Sequence, residues 1–187
     1  RAKMVFAELN QKIFEVFFGF SHRNSILDTV FIFLAKFLPY LLVLGFLVLI
    51  FYKSSSRRRL FFYIEAALAL ILGSGLLVQF FRFFYHHPRP FEEMEFTPLI
   101  AATDGSSFPS NHAAILFALS LLVFYLNRRV GLWFFILSFL NGLARVVVGV
   151  HWPLDILGGA LVGILAAFLV HRWLAPHRVE PSAFHNA

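Results

Sequence analysis

Five apolar stretches, joined by short basic or polar connections, restrict this chain more than any other feature. A helix of about 20 apolar residues crosses a bilayer, because every backbone N–H and C=O must find its partner within the protein. Segments 29–52, 60–84, 111–126, 130–148 and 154–173 meet or approach that length. The 187 residues are 59% hydrophobic and only 14% charged, against roughly 25% charged in a soluble domain. Twenty-six phenylalanines suit the same setting, since Phe partitions into lipid and makes no hydrogen-bonding demand. The pattern predicts an all-α, polytopic membrane helix bundle with about five spanning helices.

Ahead of the first span the pattern changes. Val5, Phe6, Leu9, Ile13, Val16, Phe17 and Phe20 recur at helical spacing, with Glu8, Gln11, Lys12 and Glu15 on the opposite side. Such a helix is expected to lie in the membrane interface; a sixth, poorly hydrophobic span is the alternative. Glu8, Lys12 and Glu15 also interrupt the apolar run that a cleavable signal would need. Arg1-Ala2-Lys3 before Met4 reads as an expression remnant, and 4–187 as a single membrane-embedded domain without repeats or a Gly/Ser-rich linker. With no cysteine, disulfides and thiolate metal sites are excluded.

The net charge of +6 is not arranged as a basic face with interleaved aromatics, so no nucleic-acid partner is expected. It falls in the connections instead. Lys53 and Arg57 to Arg59 join the first two spans, Arg128 and Arg129 join the third and fourth, and Arg172 and Arg178 follow the last. The positive-inside bias assigns those ends, and the C-terminus, to the cytoplasm. The loop from about 85 to 110 and the turn at 148–154 then face outward.

Three polar clusters fall at those outward ends. Arg82 through Arg89-Pro90 closes the second span, Pro109-Ser110-Asn111-His112 opens the third, and Arg145 through His151 to Asp155 bridges the last two. Ser110 is a good N-cap, and a helix N-terminus favours an anion through its unpaired N–H groups. His151 and Asp155 are four apart across a Pro153 helix start, close enough for the carboxylate to fix the imidazole tautomer. Arginine forks suit phosphate oxygens. Taken singly, each cluster has a plainer explanation: a capped helix, a structural His–Asp contact, arginines snorkelling to headgroups. Their convergence on one face favours a phosphate site. The adjacent His86-His87 and the loop acids Glu92, Glu93 and Glu95 make a weak metal set, so metal-free phosphoryl transfer, with no cofactor, is expected.

These blocks, Arg82-x6-Arg89-Pro90, Pro109-Ser110-Asn111-His112 and Arg145-x5-His151-x3-Asp155, resemble the three signature motifs of the type-2 phosphatidic acid phosphatase superfamily. The resemblance implies that His151 is the nucleophile, forming a phosphohistidine, that Asp155 orients it, and that His112 protonates the leaving group. It implies that Arg82, Arg89, Ser110 and Arg145 hold phosphate oxygens, with Asn111 beside them. The chain departs from the pattern at Arg82, where Lys is usual, at Asn111, where Gly is usual, and at Ala144, where Ser is common. Gly19-Phe20-Ser21-His22-Arg23-Asn24-Ser25 before the first span resembles the bacterial undecaprenyl-diphosphate phosphatases of the BcrC type. That implies hydrolysis of undecaprenyl diphosphate at the outer face of a bacterial plasma membrane, lipid-carrier recycling in peptidoglycan synthesis, and bacitracin resistance. Other lipid phosphates (phosphatidylglycerophosphate, phosphatidate, a lipid A-type phosphate) remain alternatives, as does a small lipid or ion transporter.

Four further positions carry expectations. Lys36 and Pro39 within the first span could line a substrate path, but Lys36 is expected to snorkel and Pro39 to produce a tolerated kink; Glu65 is expected to pair with Arg57 to Arg59. Gly159 and Gly163 are expected to pack within the bundle, and Asp104 to be a polar loop position.

Overall fold

The computed structural model describes residues 2–53, 56–102 and 105–175; Asp104 and Arg178 lie outside them. Every regular element among these residues is helical: α1 (Ala2–Phe18), α2 (Ser25–Lys36), α3 (Leu38–Lys53), α4 (Ser56–Leu70), a π-helical stretch Ile71–Leu77, α5 (Val78–Phe84), the single turn α6 (Pro90–Glu93), α7 (Asn111–Leu126), α8 (Arg128–Val147) and α9 (Pro153–Leu174). The protein is thus an all-α membrane bundle. Arg57–Phe84, Arg128–Val147 and Pro153–Leu174 are each long and apolar enough to cross a membrane, while α7 is apolar but shorter.

The expected first span is broken. Ser25–Lys36 and Leu38–Tyr52 pass the same test only together and meet at a 44° bend. Pro39 explains it, because its ring nitrogen cannot donate to the carbonyl four residues back, that of Ala35, and crowds it as well. Two side chains of α8 take up carbonyls at the break: Asn141 Nδ2 donates to Leu34 O at 2.7 Å, and Arg145 Nη1 to Ala35 O at 3.3 Å. Irregular backbone at membrane depth is tolerated where protein groups satisfy it in this way.

Helix α7 runs through the middle, packed against α3, α4, α8 and α9. Its Leu116, Leu119, Leu122 and Val123 join Leu42, Phe46, Ile50 and Ala69 in the main core. On the outside, Leu157, Leu161, Leu165 and Phe168 form an exposed apolar stripe along α9 suited to lipid. The α7–α9 contact needs glycine. A Cβ at Gly159 would sit 2.3 Å from Ser110 O, and one at Gly163 2.1 Å from Ala114 O, so this small-residue face packs within the bundle as expected.

Helix α1 is more complex than its amphipathic pattern. Leu9, Val16 and Phe20 of the apolar stripe are exposed, available to lipid. The docked face is Asn10 and Phe14: Phe14 is fully buried and tilted against Trp152 at 5.0 Å, and Asn10 Oδ1 accepts from Leu154 N at 3.0 Å. At the opposite end of the bundle, Glu65 is fully buried and bonded to His171 Nδ1 at 2.6 Å, with Tyr125 stacked on that imidazole at 3.7 Å. This contact joins α4, α7 and α9; the expectation for Glu65 had named arginines on its own helix.

Gly163→Ala should destabilise the folded protein by about 1–3 kcal/mol through overpacking against α7. Gly45→Ala, whose Cβ would meet Phe134 at an ordinary 3.6 Å, should be nearly neutral. Denaturant unfolding in detergent, followed by circular dichroism, measures both.

Candidate active site

The clusters meet because α5, α7, α8 and α9 all present their ends to the same side of the bundle. The helices alternate in direction, so the basic connection between α7 and α8 and the last turn of α9 lie at the other end. Between them, at the polar end, is a cavity of about 590 Å³ lined by Arg82, Arg89, Asn111, His112, Arg145 and His151, together with Lys36 and Tyr40. Ser110 and Asp155 stand behind this lining and are buried.

The turn between α8 and α9 carries the His151–Asp155 pair. Trp152 occupies the N-cap, Pro153 the first helical position, and Asp155 reaches back so that Oδ2 accepts from Trp152 N at 2.8 Å. The same oxygen is 3.2 Å from His151 Nδ1. With Nδ1 committed to the carboxylate, Nε2 is the nitrogen left for the cavity. His151 is only 2% exposed. Burial, and after it Arg145, Arg89, His112 and Arg82, hold its pKa well below the ordinary histidine value, so the imidazole is neutral and its lone pair available.

At the start of α7, Ser110 Oγ caps the helix by accepting from Ala113 N at 3.5 Å, and Ser110 N donates to Asp155 O at 3.0 Å. The cap uses the hydroxyl oxygen and not its hydrogen. His112, in the first turn, is exposed to the cavity.

Each guanidinium is anchored on a carbonyl from another part of the chain. Arg82 Nη2 donates to Pro109 O at 3.1 Å, Arg89 Nη1 to Val150 O at 2.8 Å, and Arg145 Nη1 to Ala35 O at 3.3 Å. The Nε groups of Arg82 and Arg145 are buried with no protein acceptor. These forks therefore keep donors for an anion. Glu92, expected on a solvated loop face, lies in α6 and accepts from Arg89 N at 2.7 Å. His87 Nδ1 lies 3.0 Å from Ser107 Oγ, which closes the 85–110 loop on itself, and Trp152 Nε1 donates to Pro88 O at 3.0 Å, which ties that loop to the α9 turn. Among the described residues, no three His, Asp or Glu side chains gather as metal ligands.

All the expected site residues are thus gathered, six at the cavity wall and two behind it. Two further residues contribute: Lys36, expected to snorkel rather than to line a substrate path, and Ser74, which the sequence does not single out. Lys36 enters because the Pro39 break turns the end of α2 toward the site. Ser74, in the wide π-helical stretch, donates from Oγ to Asn111 Oδ1 at 2.7 Å, leaving the Asn111 amide N–H groups for the cavity. π-Helical turns often occur at functional sites, and the Gly73-Ser74-Gly75 run was the available signal.

Residues 62–178, which contain every one of these motif positions, match the PAP2 superfamily model. The chain belongs to the PAP2 superfamily. It is 32% identical to the bacitracin transport permease protein BcrC of Bacillus licheniformis over 92% of this chain and 84% of that protein. To the undecaprenyl-diphosphatase BcrC of Bacillus subtilis it is likewise 32% identical, over 88% and 84%. Among solved structures, Aquifex aeolicus LpxE superposes with a TM-score of 0.73 at 27% identity, covering 88% of this chain and 95% of that one. The Bacillus subtilis transmembrane PAP2 type phosphatidylglycerolphosphate phosphatase has a TM-score of 0.69 at 20% identity, over 96% and 90%, and shares the fold. PAP2 membership and the assembled site make the chain a membrane lipid phosphatase, with its lipid still to be assigned.

Ser74→Ala should free the Asn111 amide and weaken competitive inhibition by inorganic phosphate by about 3- to 10-fold, the worth of one neutral hydrogen bond. In an Asn111→Gly background the same change should have no further effect, which a double-mutant cycle reads directly.

Proposed function

We propose that the protein hydrolyses undecaprenyl diphosphate to undecaprenyl phosphate and inorganic phosphate, without a metal ion, at the outer face of a bacterial plasma membrane. The observation that carries the chemistry is the His151 imidazole, tied through Nδ1 to Asp155 and set among three arginines, of which Arg82 and Arg145 keep Nε donors for an anion. The Bacillus subtilis relative, an undecaprenyl-diphosphatase matched over most of both chains, favours this substrate.

In this reading Arg82, Arg89 and Arg145, with Ser110 and Asn111, hold the oxygens of the terminal phosphate. Nε2 of His151 attacks its phosphorus, the bond to the bridging oxygen breaks, and His112 supplies a proton to the leaving group. Asp155 stabilises the cationic ring that results. Water, deprotonated by His112, then cleaves the phosphohistidine and releases phosphate. The guanidiniums supply the charge stabilisation that a metal gives elsewhere. Apolar surfaces along the helices keep the tail in lipid. The outward orientation rests on the basic connections lying at the bundle end opposite the cavity.

The LpxE and phosphatidylglycerolphosphate phosphatase likenesses favour a second reading, in which another lipid phosphate occupies the same cavity. The transport name of one BcrC relative favours a third, binding without turnover. Purified protein in EDTA should release phosphate from undecaprenyl diphosphate faster than from phosphatidylglycerophosphate or phosphatidate. His151→Ala and His112→Ala should abolish release, and Asp155→Asn should lower kcat by about 10²- to 10⁴-fold. A preference for either phospholipid would favour the second reading, and substrate-dependent transport in vesicles without phosphate release the third.

A further inference from the structure

The three arginines do not exhaust the cavity's positive charge. Lys36, the last residue of α2, is exposed and lines the same cavity as Arg145, His112 and His151. A lysine halfway along an apolar span would ordinarily snorkel to the headgroups. Here its position is set by the site itself. Pro39 ends the α2 ladder, and the Ala35 carbonyl, one residue before Lys36, accepts from Arg145 Nη1. With Asn141 holding Leu34 O, the last turn of α2 is clamped onto α8 next to one of the anchored guanidiniums.

Charge accounting makes this position informative. Among the described residues Lys36 has no carboxylate within ion-pair distance; its ammonium lies 5.8 Å from the Phe37 ring centroid, a distant cation–π contact. A single phosphoryl group carries about two negative charges near neutral pH, and three guanidiniums already surround the place where His151 can reach it. A fourth cation at the same cavity is matched when the substrate brings a second phosphate.

We propose that Lys36 is a specificity residue that binds the second, tail-bearing phosphate of a diphosphate substrate. This rests on the reading of the site given under Proposed function. When His151 Nε2 bonds to the terminal phosphorus, the bond from that phosphorus to the bridging oxygen breaks. The electron pair goes to that oxygen, so negative charge builds on the tail-bearing phosphate, and Lys36 sits where an ammonium offsets it. A lipid monophosphate has an alcohol in the leaving position, and Lys36 has nothing to pair with there. The contact therefore selects diphosphates through the leaving group, independently of the tail.

The test compares wild type, Lys36→Met and Lys36→Arg, using farnesyl diphosphate as substrate and two competitive inhibitors, inorganic phosphate and methylenediphosphonate. Lys36→Met should lower kcat/KM for farnesyl diphosphate about tenfold and weaken methylenediphosphonate by a similar factor, the worth of one charge-assisted contact. Inhibition by phosphate should stay within about twofold, since the arginines are untouched. Lys36→Arg should recover most of the loss. If phosphate and methylenediphosphonate weaken equally, or if neither inhibition nor turnover changes, the assignment of Lys36 is wrong while the diphosphatase reading stands. Wild-type protein that hydrolyses phosphatidate but not farnesyl diphosphate would overturn that reading, and the role of Lys36 with it.

Discussion

Each guanidinium in the cavity gives an N–H to a backbone carbonyl of a distant segment, and the geometry of the site depends on these three bonds. Arg145 takes Ala35 O at the broken span, Arg82 takes Pro109 O just before α7, and Arg89 takes Val150 O in the turn before α9. None of these carbonyls belongs to an uninterrupted helix, and buried without a partner each would be costly. The need is mutual. Three like charges near a bilayer also require fixed dipoles, and an arginine held by one N–H keeps others for an anion. Irregular backbone and the three guanidiniums thus stabilise one another.

The same double use of polar groups extends to His151, Asp155 and Ser110. Asp155 accepts from Trp152 N at the start of α9 and from His151 Nδ1 with a single oxygen, so the element that begins the helix also orients the imidazole. Ser110 caps α7 and donates its own N–H to Asp155 O, which couples the second motif to the third. That bond demands close helices. Gly159, where a Cβ would meet Ser110 O at 2.3 Å, permits the approach. Packing and catalytic geometry are therefore not separable along the α7–α9 contact.

Much of this was legible in the sequence, for identifiable reasons. Span positions follow from hydropathy, which bilayer thickness makes nearly one-dimensional. The His151–Asp155 contact follows from a four-residue spacing at a proline-started helix, and the gathering of motifs follows from counting spans. What escaped was set by contacts between segments far apart in the chain. The docked face of α1 is centred on Asn10 and Phe14, outside the apolar stripe, with Phe17 of the stripe packed beside them. Glu65 finds His171 of α9, 106 residues away. Ser74 reaches Asn111 only because the Ile71–Leu77 stretch widens to a π-helix. Pro39 announced a kink, but nothing local showed that the kink would bring Lys36 to the arginines.

The central claim is that His151 forms a covalent bond to phosphorus, and trapping that bond tests it most directly. The protein would be mixed with undecaprenyl diphosphate, quenched within milliseconds into alkali, where a phosphohistidine survives, and digested for peptide mass spectrometry. The account predicts a phosphorylated peptide with the modification on His151, absent without substrate and absent in His151→Ala. Phosphate carried on His112, or rapid turnover by the His151→Ala protein, would contradict it.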